Sequence, residues 1–499
     1  MTEDRAIPEA LLSRFSAFVA ARLGLHFPPE RWHELARGAR SCAPLLGCKN
    51  AATCMEWLLA HPVGAPEIQR LASYLTVGET YFFREEPIFA ALKSHILPEL
   101  IQRRAADRHL RIWSAGCCSG EEPYSLAILL TQMIPNLKDW KLMLLATDIN
   151  LDYLAKAQRA QYGQWSFRRT PPSIKEHYFR PVANQRVHTL DEEIRRRVSF
   201  AYLNLAEDGY PSLLNGTNGI DILFCRNVLM YFQPEHVPKV ISKLYACLAD
   251  DGWLVVSPSE ASSRLFPQFT PVNFRDAVVF RKSRAELPMI ASDSRPPTAK
   301  AHRSFAQTAV ENAPPEHPQS SRRQAATVST PTPHDRLQEA DTLCGQGRYQ
   351  DAVDILQALL VQDSENPRLM TRLAKACANQ GRLVEALTWC ERAITADKLD
   401  PTARYLLAII LQEQGRDLEA VAALKHALYL DPSFALAHFA LGNSLRAQGH
   451  YKESRRYFAN TLAIFKEDRR DHCPPESDGM TVGKLRDIIQ TIMSMDHAT

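Results

Sequence analysis

The chain has 499 residues, too many for one hydrophobic core, so roughly two to four domains are expected. Apolar residues make up 45% and charged residues 23%, an ordinary globular balance, and the formal net charge of +3 excludes a polycation that coats nucleic acid. Eleven cysteines, several inside apolar segments such as Cys225, Cys377 and Cys390, read as reduced, buried thiols, and Cys42, Cys48 and Cys54 recur without a C-x-x-C pair, so no metal site is expected.

The opening M-T-E-D-R-A-I-P-E-A lacks the basic then apolar pattern of a signal peptide, and no apolar run approaches the roughly 20 residues of a spanning helix. A cytoplasmic location without direct membrane insertion is expected. Residues 1–75 read as a small helical domain, with amphipathic stretches at 10–23 and 29–40. Arg31, Arg37 and Arg40 in the second stretch could face an acidic partner or simply solvent.

Leu75 to Glu86 then reads L-T-V-G-E-T-Y-F-F-R-E-E. As structure alone this predicts a helix capped by Thr80 with rings packed behind it, which leaves Arg84 unexplained.

From His109 onward the periodicity changes. Strands are predicted at 110–115, 142–149, 198–205, 220–225, 253–257 and 278–281, with helices at 123–133, 152–159 and 234–248 between them. Alternation of this kind predicts a Rossmann-like parallel sheet wound on both faces, with ligands at the carboxyl ends of the strands.

The chemistry should sit there. The first strand runs into G-C-C-S-G-E-E-P-Y-S, where Gly116 and Gly120 permit a sharp turn. Without G-K-[ST], and with Glu121 and Glu122 present, this loop is no phosphate cradle. The second strand ends in A-T-D-I-N, placing Asp148 to accept from ribose hydroxyls. Ribose without phosphate, plus a positive centre, points to S-adenosylmethionine. The fourth strand leads into F-C-R-N-V-L-M-Y-F, where Arg226 and Asn227 are poor strand residues that need partners if buried.

Residues 285–333 are rich in proline and poor in aromatics, which predicts a disordered linker. Beyond it Gly347, Gly381, Gly415 and Gly449 recur at 34-residue spacing, as do Ala352, Ala386, Ala420 and Ser454 and the acids Asp351, Glu385, Glu419 and Glu453. That period is the tetratricopeptide (TPR) signature, so 334–469 reads as four repeats in an all-α solenoid whose groove would take a further protein or peptide, or serve dimerisation or spacing. Residues 470–499 are read as a capping tail, with an amphipathic helix at 482–495.

The set T-x-x-E-T-Y-F-F-R-E, S-G-E-E-P-Y-S, A-T-D-I, N-L and F-C-R-N-V-L-M-Y-F, in this order, resembles the CheR chemoreceptor methyltransferases from about residue 10 to about 284. With the repeats attached, the chain is similar to the CheR-TPR subclass, to which the Wsp surface-sensing methyltransferases belong. The resemblance implies transfer of a methyl group from S-adenosylmethionine to glutamates on a receptor's cytoplasmic methylation helices. It implies that 76–284 is the methyltransferase domain, with 166–199 as an inserted small β-subdomain that in some members grips a receptor peptide.

Carried over by position, it implies that Thr80 and Arg84 reach the cofactor, that Glu121 and Asp148 hold it, that Asn204 and Leu205 flank the adenine, and that Arg226 and Asn227 line the cleft. Arg84 and Tyr231 would be the catalytic pair, and Tyr81, Phe82 and Phe83 a dry wall over the cleft. Gly78 departs from the asparagine of the enteric motif, and Pro258 in S-P-S-E stands where histidine is common. A cofactor-binding TPR scaffold without turnover is the alternative. A nucleic-acid acceptor is disfavoured by the missing N-P-P-Y-type loop and basic stripe.

Overall fold

The computed structural model describes residues 7–61, 64–282 and 332–495. Helices α1 (Glu9–Leu23), α2 (Trp32–Cys42), α3 (Ala51–Ala60) and α4 (Ala65–Leu75) form the N-terminal bundle around Phe15, Val19, Leu35, Met55 and Leu71. An antiparallel bridge between Leu25 and Phe232, with the His26 N–H donating to the Tyr231 carbonyl at 2.7 Å, ties this bundle to the domain that follows.

Thr80 does not cap a helix. Residues 77–84 cross the surface without helical structure, and Glu85, at φ 65°, precedes α5 (Glu86–Ala91), which continues through a π-helical turn into α6 (Leu97–Arg103).

The expected doubly wound sheet follows: β1 (His109–Ala115), α7 (Glu121–Met133), β2 (Lys141–Asp148) and α8 (Leu151–Arg159) come first. The small sheet β3 (Gln161–Gly163), β4 (Phe179–Pro181) and β5 (Val187–Leu190), with α9 (Pro172–Tyr178) and α10 (Glu192–Arg195), is inserted next, opening ahead of Ser166. Then come β6 (Val198–Tyr202), β7 (Ile220–Phe224), α11 (Val237–Cys247), β8 (Leu248–Val255), β9 (Thr270–Phe274) and β10 (Ala277–Arg281).

The main sheet is seven-stranded in the order β6-β2-β1-β7-β8-β10-β9, with β6 to β8 parallel and β10 and β9 antiparallel at one edge. β1 and β7 are buried along their whole length, as strands covered on both faces must be. Ile112 joins the core under α7 while Trp113 joins the core under α11, so the two helices lie on opposite faces and the strand order reverses between β1 and β7. β9 was not predicted from the sequence: its T-P-V-N-F is largely exposed, and an edge strand tolerates Pro271 where a central one would not.

The linker expected at 285–333 lies outside the described residues up to 331; Thr332 and Pro333 open the next helix, the Thr332 hydroxyl accepting from the Asp335 N–H. Four helix pairs follow: α12 (Pro333–Gly345) with α13 (Tyr349–Gln362), α14 (Pro367–Asn379) with α15 (Leu383–Ala396), α16 (Pro401–Glu413) with α17 (Asp417–Leu430), and α18 (Ala435–Ala447) with α19 (Tyr451–Ile464). Each periodic glycine has positive φ (74°, 76°, 67° and 81°) and reverses the chain after the first helix of its pair. Ala352, Ala386, Ala420 and Ser454 have zero exposure, because larger side chains there would push the paired helices apart. The periodic acids have a separate use: Asp351, Glu385 and Glu419 each bind the arginine three residues before them.

The solenoid rests on the α/β half. The Asn218 amide donates to the Ala378 carbonyl at 3.2 Å, Arg111 pairs with Glu413, and Leu213 joins the solenoid's core. Helix α20 (Val482–Met495) buries Val482, Leu485 and Ile489 in that core and touches both α19 and α4. Among the described residues no helix is long and apolar enough to cross a membrane, and no cluster of side chains is suited to hold a metal.

Candidate active site at the carboxyl ends of the strands

After β1 the chain turns at Gly116, whose φ of 80° suits glycine, and its N–H donates to the Thr147 carbonyl at 2.7 Å. A Cβ there would stand 2.4 Å from Val228 Cγ2, so the β1 turn and the loop after β7 could not approach as they do with any other residue.

Asp148 ends β2 facing this turn. Its carboxylate accepts from the Cys118 N–H and the Asn150 N–H, each at 2.8 Å. Burial raises its pKa to about 6, against the opposing pull of those amides, so it is ionised at neutral pH but close enough to titrate.

At the end of β6 Asn204 is buried. Its amide donates to the Arg22 carbonyl at 3.0 Å and to Glu207 at 3.2 Å, which fixes the loop carrying Leu205. At the end of β7 the Arg226 guanidinium is nearly fully buried between the Glu122 and Glu85 carboxylates, at 2.8 and 2.9 Å. It also donates to the carbonyl of Arg84, and Ser114 completes Glu122 with a 2.7 Å bond.

The 77–84 stretch is held down by its backbone and its rings. The Phe82 N–H donates to the Ser166 carbonyl at 3.0 Å and the Phe83 N–H to Ser125 Oγ at 2.9 Å. Phe82 is fully buried among Tyr162, Phe167 and Phe179 of the inserted subdomain, and Phe83 packs on Phe89. Tyr81 instead lies under the Arg168 guanidinium, so the dry wall consists of two rings rather than three.

Thr80, Arg84, Asp148, Asn204, Leu205, Arg226, Asn227 and Tyr231 all line one cleft at the switch point, whose space, open mouth included, is about 1060 Å³. Glu121 does not line it. That carboxylate is buried beneath, accepting from Ser119 Oγ at 2.8 Å and Ser166 Oγ at 2.9 Å, and joins α7 to the inserted subdomain. Its neighbour Glu122 faces the cleft.

The sequence did not place three further residues at the site. Arg31 lines the cleft with its guanidinium 6.0 Å from the centre of the Tyr231 ring and is paired with Glu34 at 3.0 Å, so it belongs with the site rather than with a distant arginine face. Glu260, from S-P-S-E, accepts from the N–H groups of Asn227, Val228 and Met230 and so shapes the loop after β7. Tyr153 accounts for Gly78: a Cβ at that position would stand 2.4 Å from its hydroxyl.

The groups lining the cleft fit S-adenosylmethionine. A buried acid can receive a ribose diol, and Leu203 and Leu205 offer an apolar wall, while the carboxylates of Glu79 and Glu122 on the cleft are already paired with Arg168 and Arg226. A doubly wound sheet with such a cleft and no phosphate loop is the architecture of a domain that binds a nucleoside.

Residues 78–278 match the family described as CheR methyltransferase, SAM binding domain, and residues 337–403 and 405–469 match tetratricopeptide repeats. A probable chemotaxis protein methyltransferase of Rhizobium etli is 34% identical over 208 residues, 41% of this chain and 76% of the relative. Chemotaxis protein methyltransferase 1 of Pseudomonas aeruginosa is 35% identical over 211 residues, 42% and 74% of the two chains. The same organism's probable biofilm formation methyltransferase WspC is 32% identical over 243 residues, 48% of this chain and 56% of that one. The chain belongs to the CheR methyltransferase family and is an S-adenosylmethionine-dependent methyltransferase of the CheR-TPR type.

Proposed function

We propose that this chain acts in the cytoplasm on the helical hairpin of a chemoreceptor, methylating glutamate side chains to γ-glutamyl methyl esters as part of chemosensory adaptation. One arrangement carries this reading: Arg84, Arg31 and Tyr231 stand together on the cleft that also holds the buried Asp148. That pairs a cation-lined approach for a carboxylate with an acid placed for a nucleoside.

S-adenosylmethionine supplies a methyl group made electrophilic by its positive sulfonium. A glutamate side chain, with an ordinary pKa near 4.3, is already ionised at neutral pH, so no general base is required. Acceleration then comes from holding two opposite charges in line in a dry site, because both charges diminish on the way to products. Asp148 and Asn204 would fix the nucleoside and Leu205 flank its base, while Thr80 and Asn227 close the cleft around it. Arg84 would orient the incoming carboxylate, Tyr231 would set its direction, and the buried Phe82 with the half-buried Phe83 would keep water from that side.

The test is transfer of labelled methyl from S-adenosylmethionine to a receptor's cytoplasmic fragment, followed by mild alkali. Label on the receptor that leaves as methanol supports the ester. Cofactor binding without transfer to any receptor of the source genome would leave the scaffold reading.

A further inference from the structure

The groove of a TPR solenoid is lined by the first helix of each pair and is ordinarily where a partner lies. Here it is already filled by the same chain. Glu476 and Asp478, in the H-C-P-P-E-S-D-G-M-T stretch before α20, both reach Lys375 of α14, each at 2.9 Å. Burial opposes the charge on Lys375, but the two carboxylates outweigh it and raise its pKa. The other Asp478 oxygen accepts from Ser212 Oγ at 3.2 Å and from the Leu213 N–H at 3.3 Å, so this one residue pins the solenoid to the methyltransferase domain. Met480 is buried in the solenoid's core beside Leu213.

This resident segment fits imperfectly. Glu476 and Asp478 have φ of 63° and 51°, left-handed values that non-glycine residues adopt only when their surroundings enforce them. The Tyr405 hydroxyl of α16 and Ser477 Oγ are both buried without a hydrogen-bond partner among the described residues. A different acidic segment could keep both carboxylates on Lys375, relax the backbone and satisfy Tyr405.

We propose that residues 474–480 are an intramolecular ligand of the TPR groove, and that the groove's partners are acidic segments of other proteins, with two carboxylates spaced as in E-x-D, which bind by displacing it at Lys375. Displacement would also free Ser212 and Leu213. These lie on the 203–219 stretch that begins with the cleft residues Asn204 and Leu205, so partner binding would be felt at the active site.

The probe is a fluorescent peptide of residues 472–481 with Cys473→Ser, titrated into full-length protein. The tethered copy competes at an effective concentration of about 1 mM, so the wild-type chain should bind the peptide at least about tenfold more weakly than Glu476→Gln/Asp478→Asn. Adding Lys375→Glu to that variant should abolish binding. Equal binding by wild type and double variant, or no binding by a double variant that still melts cooperatively, overturns the proposal. A second measurement needs no variant: the Ser477 and Met480 amides, which bond the Pro474 and Ser477 carbonyls, should exchange faster when millimolar peptide is added to the wild-type chain. Unchanged exchange at saturating peptide would likewise overturn it.

Discussion

The Arg226 guanidinium donates to the backbone carbonyl of Arg84 at 2.9 Å while gripping the Glu85 and Glu122 carboxylates. With its charge already matched by two acids, Arg226 acts as a strap that sets where Arg84 stands, which makes it a positioning residue. Arg226→Ala leaves two carboxylates without their cation and should cost about 3 kcal/mol in urea unfolding. Arg226→Lys keeps the charge but offers one ammonium to three separated acceptors. It should fold and lose kcat more than cofactor affinity, since the cofactor's acid, Asp148, is untouched. Equal losses in both would show that the strap serves the cofactor instead.

Arg84 itself is half-buried, its guanidinium donating to the Glu79 carbonyl at 2.7 Å and lying 5.8 Å from the centre of the Tyr81 ring. Neither contact neutralises it, so its charge remains available to a carboxylate. Arg84→Ala should lower kcat/KM for the protein substrate about 100-fold while S-adenosylmethionine affinity, measured calorimetrically, changes less than about threefold. Near-normal turnover would remove Arg84 from the chemistry.

Asp148 predicts a pH dependence. Burial raises its pKa to about 6, and only the ionised form accepts two hydroxyl hydrogens. Binding that requires the carboxylate draws its pKa back down, so affinity should be level above pH 7 and fall as pH drops through 6. Below that it should weaken about tenfold per pH unit. Asp148→Asn should bind weakly at every pH and lose the slope. A wild-type affinity flat from pH 5 to 8 would place another group at the ribose.

What the sequence could and could not disclose follows from how far each signal reaches. The repeats were legible because one crossing geometry demands a small residue and a left-handed turn every 34 positions. Asp148 and Gly116 were legible because the carboxyl end of a core strand is an unusual place for an acid or a left-handed glycine. Glu121 and Glu122 could not be told apart: successive side chains at a helix start point about 100° apart, and only the placement of Ser166 and Arg226 decides which faces the cleft. The groove's occupant was hidden for a different reason. Lys375 and Asp478 lie more than a hundred residues apart, and no local pattern marks them as partners.

Glu260 carries the last prediction. Its two carboxylate oxygens accept from the N–H groups of Asn227, Val228, Met230 and Ser257 and from Ser257 Oγ, at 2.6 to 3.3 Å. Asn227 holds φ 56°, a left-handed value for a non-glycine residue, with its N–H donating to this carboxylate at 2.7 Å. Glu260→Gln is nearly isosteric, but its NH₂ must face at least one N–H donor that loses its acceptor, a cost of about 1–3 kcal/mol. The loop would then relax at Asn227 and Val228, both in the cleft, and carry Tyr231 with it. Cofactor affinity and kcat should therefore fall together, unlike the Arg84 variant, where they separate. Ser257→Ala removes one donor and leaves the carboxylate intact, so it should cost about 1 kcal/mol and change neither constant by more than about twofold. If Glu260→Gln folds with wild-type constants, the loop is held by its bridge to Leu25 and Phe232 instead.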